Sequence, residues 1–497
     1  MSAVERAAPK LGVTTQALYG LGFLGTSAKM QLAALTLFFY NQLVGLDAPV
    51  VSFAIFVALF VDAFWDPIVG QLSDNTRTRL GRRHPYIYAA ALPAAACFAL
   101  IFRPPLGWSD DSLFLYLLVL VIASRMFESL HEIPNAALLP ELSNQYDERT
   151  VLGSWRFLFA SVVGRALAAV LGYGVFLAGS KAQRFGQMNE AGYAPYALTI
   201  GLIALVTVVA SALATQRFTP FMHQPQRRRR TMGEMAREIA VALSNRNFVA
   251  LALSFLIFGV ALGFVIGLLT YFYTYFWELD SRALLQLRLW EIPGGLVGVF
   301  LAPLAAKRMG KKRACLTVFF MAIFCTTVPL TLRLVGVMPP NASPWVLRIL
   351  IIDTAATGAL STLGFVIVTS MLADVVEEVQ LKTQQRSEGL LFAADSFVRK
   401  ITTSFTALLP GLLLAFVHFP RQAQPGHVPQ PVLNHLALIY LPIVTTLFLC
   451  STSALLLYRI DRRQHEEHLV RLNEAAALAE AGDDQINPHL EPTVSPI

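Results

Sequence analysis

Apolar residues along this chain are gathered into long runs separated by short polar stretches. A helix that crosses a bilayer needs roughly 20 mostly apolar residues. Twelve runs meet that length, at about 17–44, 49–72, 86–103, 113–138, 153–178, 196–216, 247–272, 287–306, 314–335, 346–371, 389–417 and 435–458. The pattern therefore predicts an all-α membrane protein of twelve spans. The long polar break over 217–246 falls between the sixth and seventh runs. The expected organisation is a six-helix bundle over 1–216, a central loop over 217–246, a second six-helix bundle over 247–458 and a tail over 459–497. In the central loop, Thr231-x-x-Glu234 has the form of a capping box, and Met232, Met235, Ile239 and Leu243 follow at helical spacing. A short amphipathic helix on the membrane surface is expected there. The tail reads as a solvated helix from Arg459 to Ala481 and as disordered after Gly482.

Composition supports the same class. Of 497 residues, 55% are hydrophobic and 14% charged, against about 25% charged in soluble domains. That excludes a disordered chain, a nucleic-acid binder and a disulfide scaffold. Cys97, Cys315, Cys325 and Cys450 all lie in apolar runs without a CxxC pair and read as small buried residues. Residues 1–15 are polar and lack a signal-peptide pattern, so the first run is expected to be a retained helix.

The placement of the net charge of +7 sets the orientation. Arg77, Arg79, Arg82, Arg83, Arg227–Arg230, Lys307, Arg308, Lys311, Lys312, Arg313, Arg459, Arg462 and Arg463 fall on one side of the predicted topology. The positive-inside rule makes that side cytoplasmic and puts both termini there, in a multi-pass protein of the cell (inner) membrane. The Arg227–Arg230 run is then an anchor between the bundles, not a nucleic-acid patch.

A repeat joins the two halves. Gly70-Gln-Leu-Ser-Asp74 leads into Arg79-Leu-Gly81-Arg82-Arg83 after the second run, and Gly298 leads into Lys307-Arg308-Met-Gly310-Lys311-Lys312-Arg313 after the eighth. Duplicated halves suit a transporter whose bundles pivot about a central site. Gly70, Asp74, Arg79, Gly81, Arg82 and Arg83 are expected to form a cytoplasmic gate, the glycine allowing close approach of helices and the charges locking one access state.

Ionisable groups at bilayer depth cost at least about 2.5–3.5 kcal/mol each, so they mark function. Asp62 and Asp66 share one face of the second run and repel each other unless a cation or proton lies between them. The fourth run holds Arg125, Glu128, His131 and Glu132 ahead of Ile133-Pro134-Asn135. Lys29 lies in the first run, Arg156 and Arg165 in the fifth, and Asp395, Arg399 and Lys400 in the eleventh. Lys400 is expected to pair with Asp62 or Asp66 across the halves, and Arg156 to face the fourth-run acids. Glu291, Asp353 and Glu278 are weaker candidates. No H-E-x-x-H, G-x-S-x-G or P-loop string is present, which argues against an enzyme.

Together these residues resemble the glycoside–pentoside–hexuronide:cation symporters of the major facilitator superfamily, the melibiose permease group. The match runs through Asp62-Ala-Phe-Trp-Asp66-Pro67-Ile-Val-Gly70, Asp74-Asn-Thr-Arg77-Thr-Arg79-Leu-Gly81-Arg82-Arg83-His-Pro85, Glu132-Ile133-Pro134 and Trp155-Arg156-Phe157. It continues through Met371-Leu372-Ala373-Asp374-Val375, Arg386-Ser-Glu388-Gly389 and Phe397-Val-Arg-Lys400. The resemblance implies the major facilitator fold, twelve helices in two six-helix bundles related by pseudo-twofold symmetry. It further implies cation-coupled symport of a sugar, glycoside or hexuronide, with Na+ or H+ as coupling ion and no other cofactor. Asp62, Asp66 and Glu132 would bind the cation. Lys29, Arg125, Glu128, Arg156 and Lys400 would bind substrate or couple it. The expected partners are a small-molecule substrate and membrane lipid, with no nucleic acid, around a monomer. The chain departs from the group at Ser27, where a sugar-binding acid is typical, and at Ala136, where an aromatic is typical. Those departures weigh against a galactoside, while Lys29 and Arg125 hint at an anionic substrate. A related branch, the sodium-dependent lysophospholipid transporters, shares the second-run acids and the eleventh-run Lys, which leaves an amphipathic anion as the alternative cargo.

Overall fold

A computed structural model describes residues 11–143, 145–181, 183–221, 245–383 and 388–458; for 376–383 and 388–396 it describes the helix path alone. The predicted surface helix in the central loop, the Arg227–Arg230 anchor, Arg386 and the tail lie outside the described residues. Among those described, eleven helices are long and apolar enough to cross a bilayer. They are the second span Ala48–Asn75, third His84–Ile101, fourth Asp110–Leu142, fifth Asp147–Phe176, sixth Glu190–Gln216, seventh Arg246–Phe276, eighth Ser281–Met309, ninth Lys311–Leu334, tenth Pro344–Val375, eleventh Phe397–Phe416 and twelfth Gln430–Leu456.

The first expected span is present but broken. It runs as Val13–Leu21, Leu24–Ala33 and Thr36–Phe38, then as a π-helical turn over Phe39–Val44. Glycine is a poor helix former, and Gly20 and Gly22 sit at the first break. They are held there by packing: Gly20 lies against Trp155 and Gly22 against Ser211, with no room for a Cβ. The fifth span is irregular too, with π turns over Leu158–Val163 and Val170–Phe176 flanking an α segment at Gly164–Ala169.

Small residues let helices meet within each half. Gly294 and Gly298 of the eighth span press onto the backbone of Ala355 and Ala359 in the tenth. Between the halves, the second span packs on the eleventh: Gly411 lies against Ala48 and Ser52, and Phe56 meets Phe405 with ring centroids 5.1 Å apart. The fifth span meets the eighth, where a Cβ on Gly174 would lie 3.5 Å from Leu285.

One end of the molecule is sealed across the halves by buried polar contacts. Tyr271 donates to Asn41 Oδ1 (2.9 Å) and Tyr275 to Gln42 Oε1 (2.8 Å). Gln42 also accepts from the Ala423 amide (3.0 Å) and donates to the Pro420 carbonyl (3.1 Å). Ser281 donates to Gln187 Oε1 (2.9 Å), and Gln187 donates to the Leu279 carbonyl (2.9 Å). Arg421 reaches over the seal to Asp47 and to Asp110 (3.4 Å). Rings of Phe38, Tyr271, Tyr275 and Phe419 fill the space beneath.

At the opposite, basic end the ion pairs described stay inside one half. Arg82 and Arg83 hold Glu141 at 2.7 and 3.0 Å, and Arg83 holds Asp74 at 2.5 Å. Lys311 holds Asp374 at 2.6 Å. Arg79, expected in the gate, is exposed and outside that network. Gly81 has φ of 87°, a backbone that favours glycine, and lies against Thr219. Gly70 departs from expectation: nothing lies within 4 Å of a Cβ placed on it. The helix approach expected there is found at Gly298 instead, where the eighth span packs on the tenth inside one half.

Overpacking a tight helix contact costs about 1–3 kcal/mol. Gly298→Val should therefore lower the thermal midpoint of the detergent-purified protein by several degrees. Gly259→Ala, where a Cβ meets open space, should leave it unchanged.

Candidate functional site

Asp62 and Asp66 project from one face of the second span toward the eleventh. The Lys400 ammonium enters between them, 2.9 Å from Asp62 Oδ2 and in contact with the Asp66 carboxylate. The other Asp62 oxygen accepts from the Ser129 hydroxyl at 2.7 Å. Asp66 Oδ1 is buried without a hydrogen-bond partner. Trp65 anchors the arrangement by donating to the Met126 carbonyl of the fourth span (3.0 Å). Two carboxylates facing one ammonium leave an excess negative charge and one unsatisfied oxygen. Such a site favours a further cation or a proton.

The expected third acid, Glu132, makes no hydrogen bond or ion pair among the described residues. Ser129 takes the place beside Asp62. Glu132 lies three residues further along the helix, a rise of about 4.5 Å, and so misses the level of Asp62.

A second cluster forms around Glu128. Lys29 lies 3.1 Å from one of its oxygens and Arg125 3.2 Å from the other. Lys29 and Glu128 are buried, with side chains 5% and 13% exposed. The Arg156 guanidinium lies over the Phe23 ring, 4.3 Å from the centroid, where the negative ring face attracts it, and its charge also acts on Glu132 of the fourth span, as expected. Arg399 stacks in the same way on Phe255 at 4.0 Å. Ala136 packs into the apolar cluster of Tyr19, Phe23 and Leu138, and Ser27 lies beside Gly164.

A third cluster joins the halves at the fifth and eighth spans. Arg165 and Arg288 each contact one oxygen of Glu291, at 3.3 and 3.5 Å. Sequence reasoning singled out Glu291 and Arg165 but missed Arg288, although Arg288-x-x-Glu291 repeats the spacing of Arg125-x-x-Glu128. It also missed Ser129, Glu141, Gln42 and Arg421, which are ordinary polar residues whose partners come from distant parts of the chain. The Asp395 side chain lies outside the described residues.

A family profile described as "MFS/sugar transport protein" matches residues 18–462. This chain belongs to that family. The glycoside–pentoside–hexuronide:cation symporter resemblance falls within it, and the protein is a multi-pass membrane transporter of the major facilitator type. An uncharacterized symporter of Synechocystis is 31% identical over 51% of this chain and 46% of its own length. The isoprimeverose transporter of Lactiplantibacillus pentosus is 26% identical over 86% of this chain and 84% of its own. Among solved structures, the nucleoside transporter NupG superposes with a TM-score of 0.59 at 12% identity, covering 90% of this chain and 99% of that one, which establishes the fold.

Removing one partner of a buried ion pair costs about 3–5 kcal/mol because the other charge is left uncompensated. Glu128→Gln should therefore destabilise the transporter in a thermal melt. Adding Lys29→Met should restore much of the loss, giving a coupling energy well above zero in the double-mutant cycle.

Proposed function

We propose that this transporter carries a sugar, glycoside or hexuronide by symport with Na+ or H+, through alternating access of its two halves. The observation that carries the reading is the Lys400 ammonium, which comes from the second half and is shared by Asp62 and Asp66 of the first. It occupies the position a coupling cation would take. A cation entering beside Asp66 Oδ1 would compete with Lys400 for the same oxygens, loosen the tie between the halves and change how they close on substrate. Cation and substrate would then raise each other's affinity by the same factor.

The cation site is proposed at Asp62 and Asp66, with the Ser129 hydroxyl as a further oxygen ligand and Glu132 as an acid one turn away. Lys29, Arg125, Glu128 and Arg156 are proposed to face the substrate in the first half, and Lys400 to couple it to the cation. By the positive-inside rule, the end carrying Arg82, Arg83 and Lys311 is proposed to be cytoplasmic. The sealed end is then extracellular and both termini are cytoplasmic. Gly70, Asp74, Arg79, Gly81, Arg82 and Arg83 are proposed to form the cytoplasmic gate that locks one access state.

The likeness to the isoprimeverose transporter favours a sugar over an amphipathic anion.

In proteoliposomes, Asp66→Asn should abolish cation-driven accumulation of sugar while the protein still inserts. Lys400→Ala should lose coupling as well. Glu132→Gln should retain cation stimulation within about tenfold, a loss of no more than about 1.4 kcal/mol. Gradient-driven accumulation by the Asp66 variant equal to that of the unmodified protein would remove the assignment.

A further inference from the structure

The Glu291 cluster joins the two halves, whereas the Glu128 cluster lies within the first. Both place one carboxylate between two cations, which leaves one positive charge in excess. Around Glu128 the contacts are 3.1 and 3.2 Å, and the Lys29 and Arg125 side chains are 5% and 37% exposed. Around Glu291 each oxygen takes a single guanidinium contact, at 3.3 and 3.5 Å. Close charge-assisted bonds are about 2.7–2.9 Å, and an Arg–carboxylate pair is often two-pronged. The side chains of Arg165, Glu291 and Arg288 are 51%, 28% and 19% exposed. Each guanidinium carries five N–H donors in a fixed fork, so most of the Arg165 donors remain open.

The placement suits a ligand that must touch both halves. Arg165 belongs to the first half and Arg288 with Glu291 to the second. Glu291 lies ten residues into the eighth span from Ser281, a depth of about 15 Å of helix. The short α segment carrying Arg165 is flanked by π turns, which alter the face a helix presents and recur at functional sites.

We propose that Arg165 and Arg288 form a subsite for the acid group of an anionic sugar, with Glu291 as the resident carboxylate that holds the two guanidiniums apart until the ligand arrives. This rests on the reading of the chain as a sugar symporter. The ligand's carboxylate takes the open N–H donors of both arginines, neutralises the excess positive charge and ties the halves together. It mirrors the acid pair of the second span: there an internal cation stands where a cation binds, and here an internal anion stands where an anion binds.

The test compares matched ligands that differ by the acid group alone: 4-nitrophenyl β-glucuronide against 4-nitrophenyl β-glucoside, and the corresponding galacto pair. Binding is measured on purified full-length protein and counterflow in proteoliposomes. The unmodified protein should prefer the uronide. Arg288→Gln and Arg165→Gln should weaken uronide binding about tenfold or more, the scale of one charge-assisted bond, and shift the neutral partner less than about threefold. Glu291→Gln removes the competing carboxylate and should tighten uronide binding. Equal affinity of the unmodified protein for acidic and neutral partners overturns the proposal. So does an equal loss of both ligands in the arginine variants, or weaker uronide binding by Glu291→Gln. If neutral glycosides are carried with a cation while uronides never bind, this inference fails and the symport reading stands. If no sugar of either kind moves, the symport reading itself fails.

Discussion

Two aspartates one helical turn apart, buried at bilayer depth, cannot both stay ionised without a positive charge between them. Here that charge is the ammonium of Lys400, delivered from the other half of the molecule. Much of the surrounding architecture serves this contact. Pairing of the second and eleventh spans through Gly411 and the Phe56–Phe405 ring contact brings the lysine to the right depth. Ser129 and Trp65 fix the fourth span against the acids. Because acids and base sit on different halves, the electrostatic balance of the site and the relative position of the halves are one variable. In the proposed cycle that identity is what lets an ion move a protein.

The seal at the opposite side of the site has a different physical character. It is built from neutral amide and phenol groups, with Gln42 and Gln187 each serving both as acceptor and as donor. Neutral hydrogen bonds contribute about 1 kcal/mol each, so a seal of this kind can be strong in sum and still open piece by piece. The basic end uses charge instead, with Arg82, Arg83 and Lys311 bound to acids of their own half. Pairing within a half satisfies those charges whatever the relative position of the halves.

Much of the fold was legible in the sequence because the bilayer is an unforgiving solvent. Backbone polar groups in hydrocarbon must be satisfied within the helix, so span length and apolarity are written as uninterrupted runs. Eleven of twelve predicted runs appear as helices long enough to cross. The exception, the first run, is broken at Gly20 and Gly22, where contact with Trp155 and Ser211 outweighs helical continuity. The π turns around Arg165 were illegible for the same reason: they answer to neighbours, not to local propensity.

The charged site divides along the same line. That Asp62 and Asp66 share a face, that each calls for compensation, and that Lys400 is a candidate for supplying it all follow from helical spacing and the cost of burying charge. Which base meets which acid does not. Arg156 stacks on Phe23 while its charge acts on Glu132, Ser129 took the place foreseen for Glu132, and Arg288 joined Glu291 unannounced. Those outcomes depend on the rotation and depth of each helix against its neighbours, fixed by small-residue contacts and π turns scattered through the chain. The sequence alone determined the class of protein, the number of spans and the residues carrying buried charge, because membrane solvation acts on each helix separately. Only the tertiary structure decided the partners and the sealed end, because a partner is a property of two helices at once.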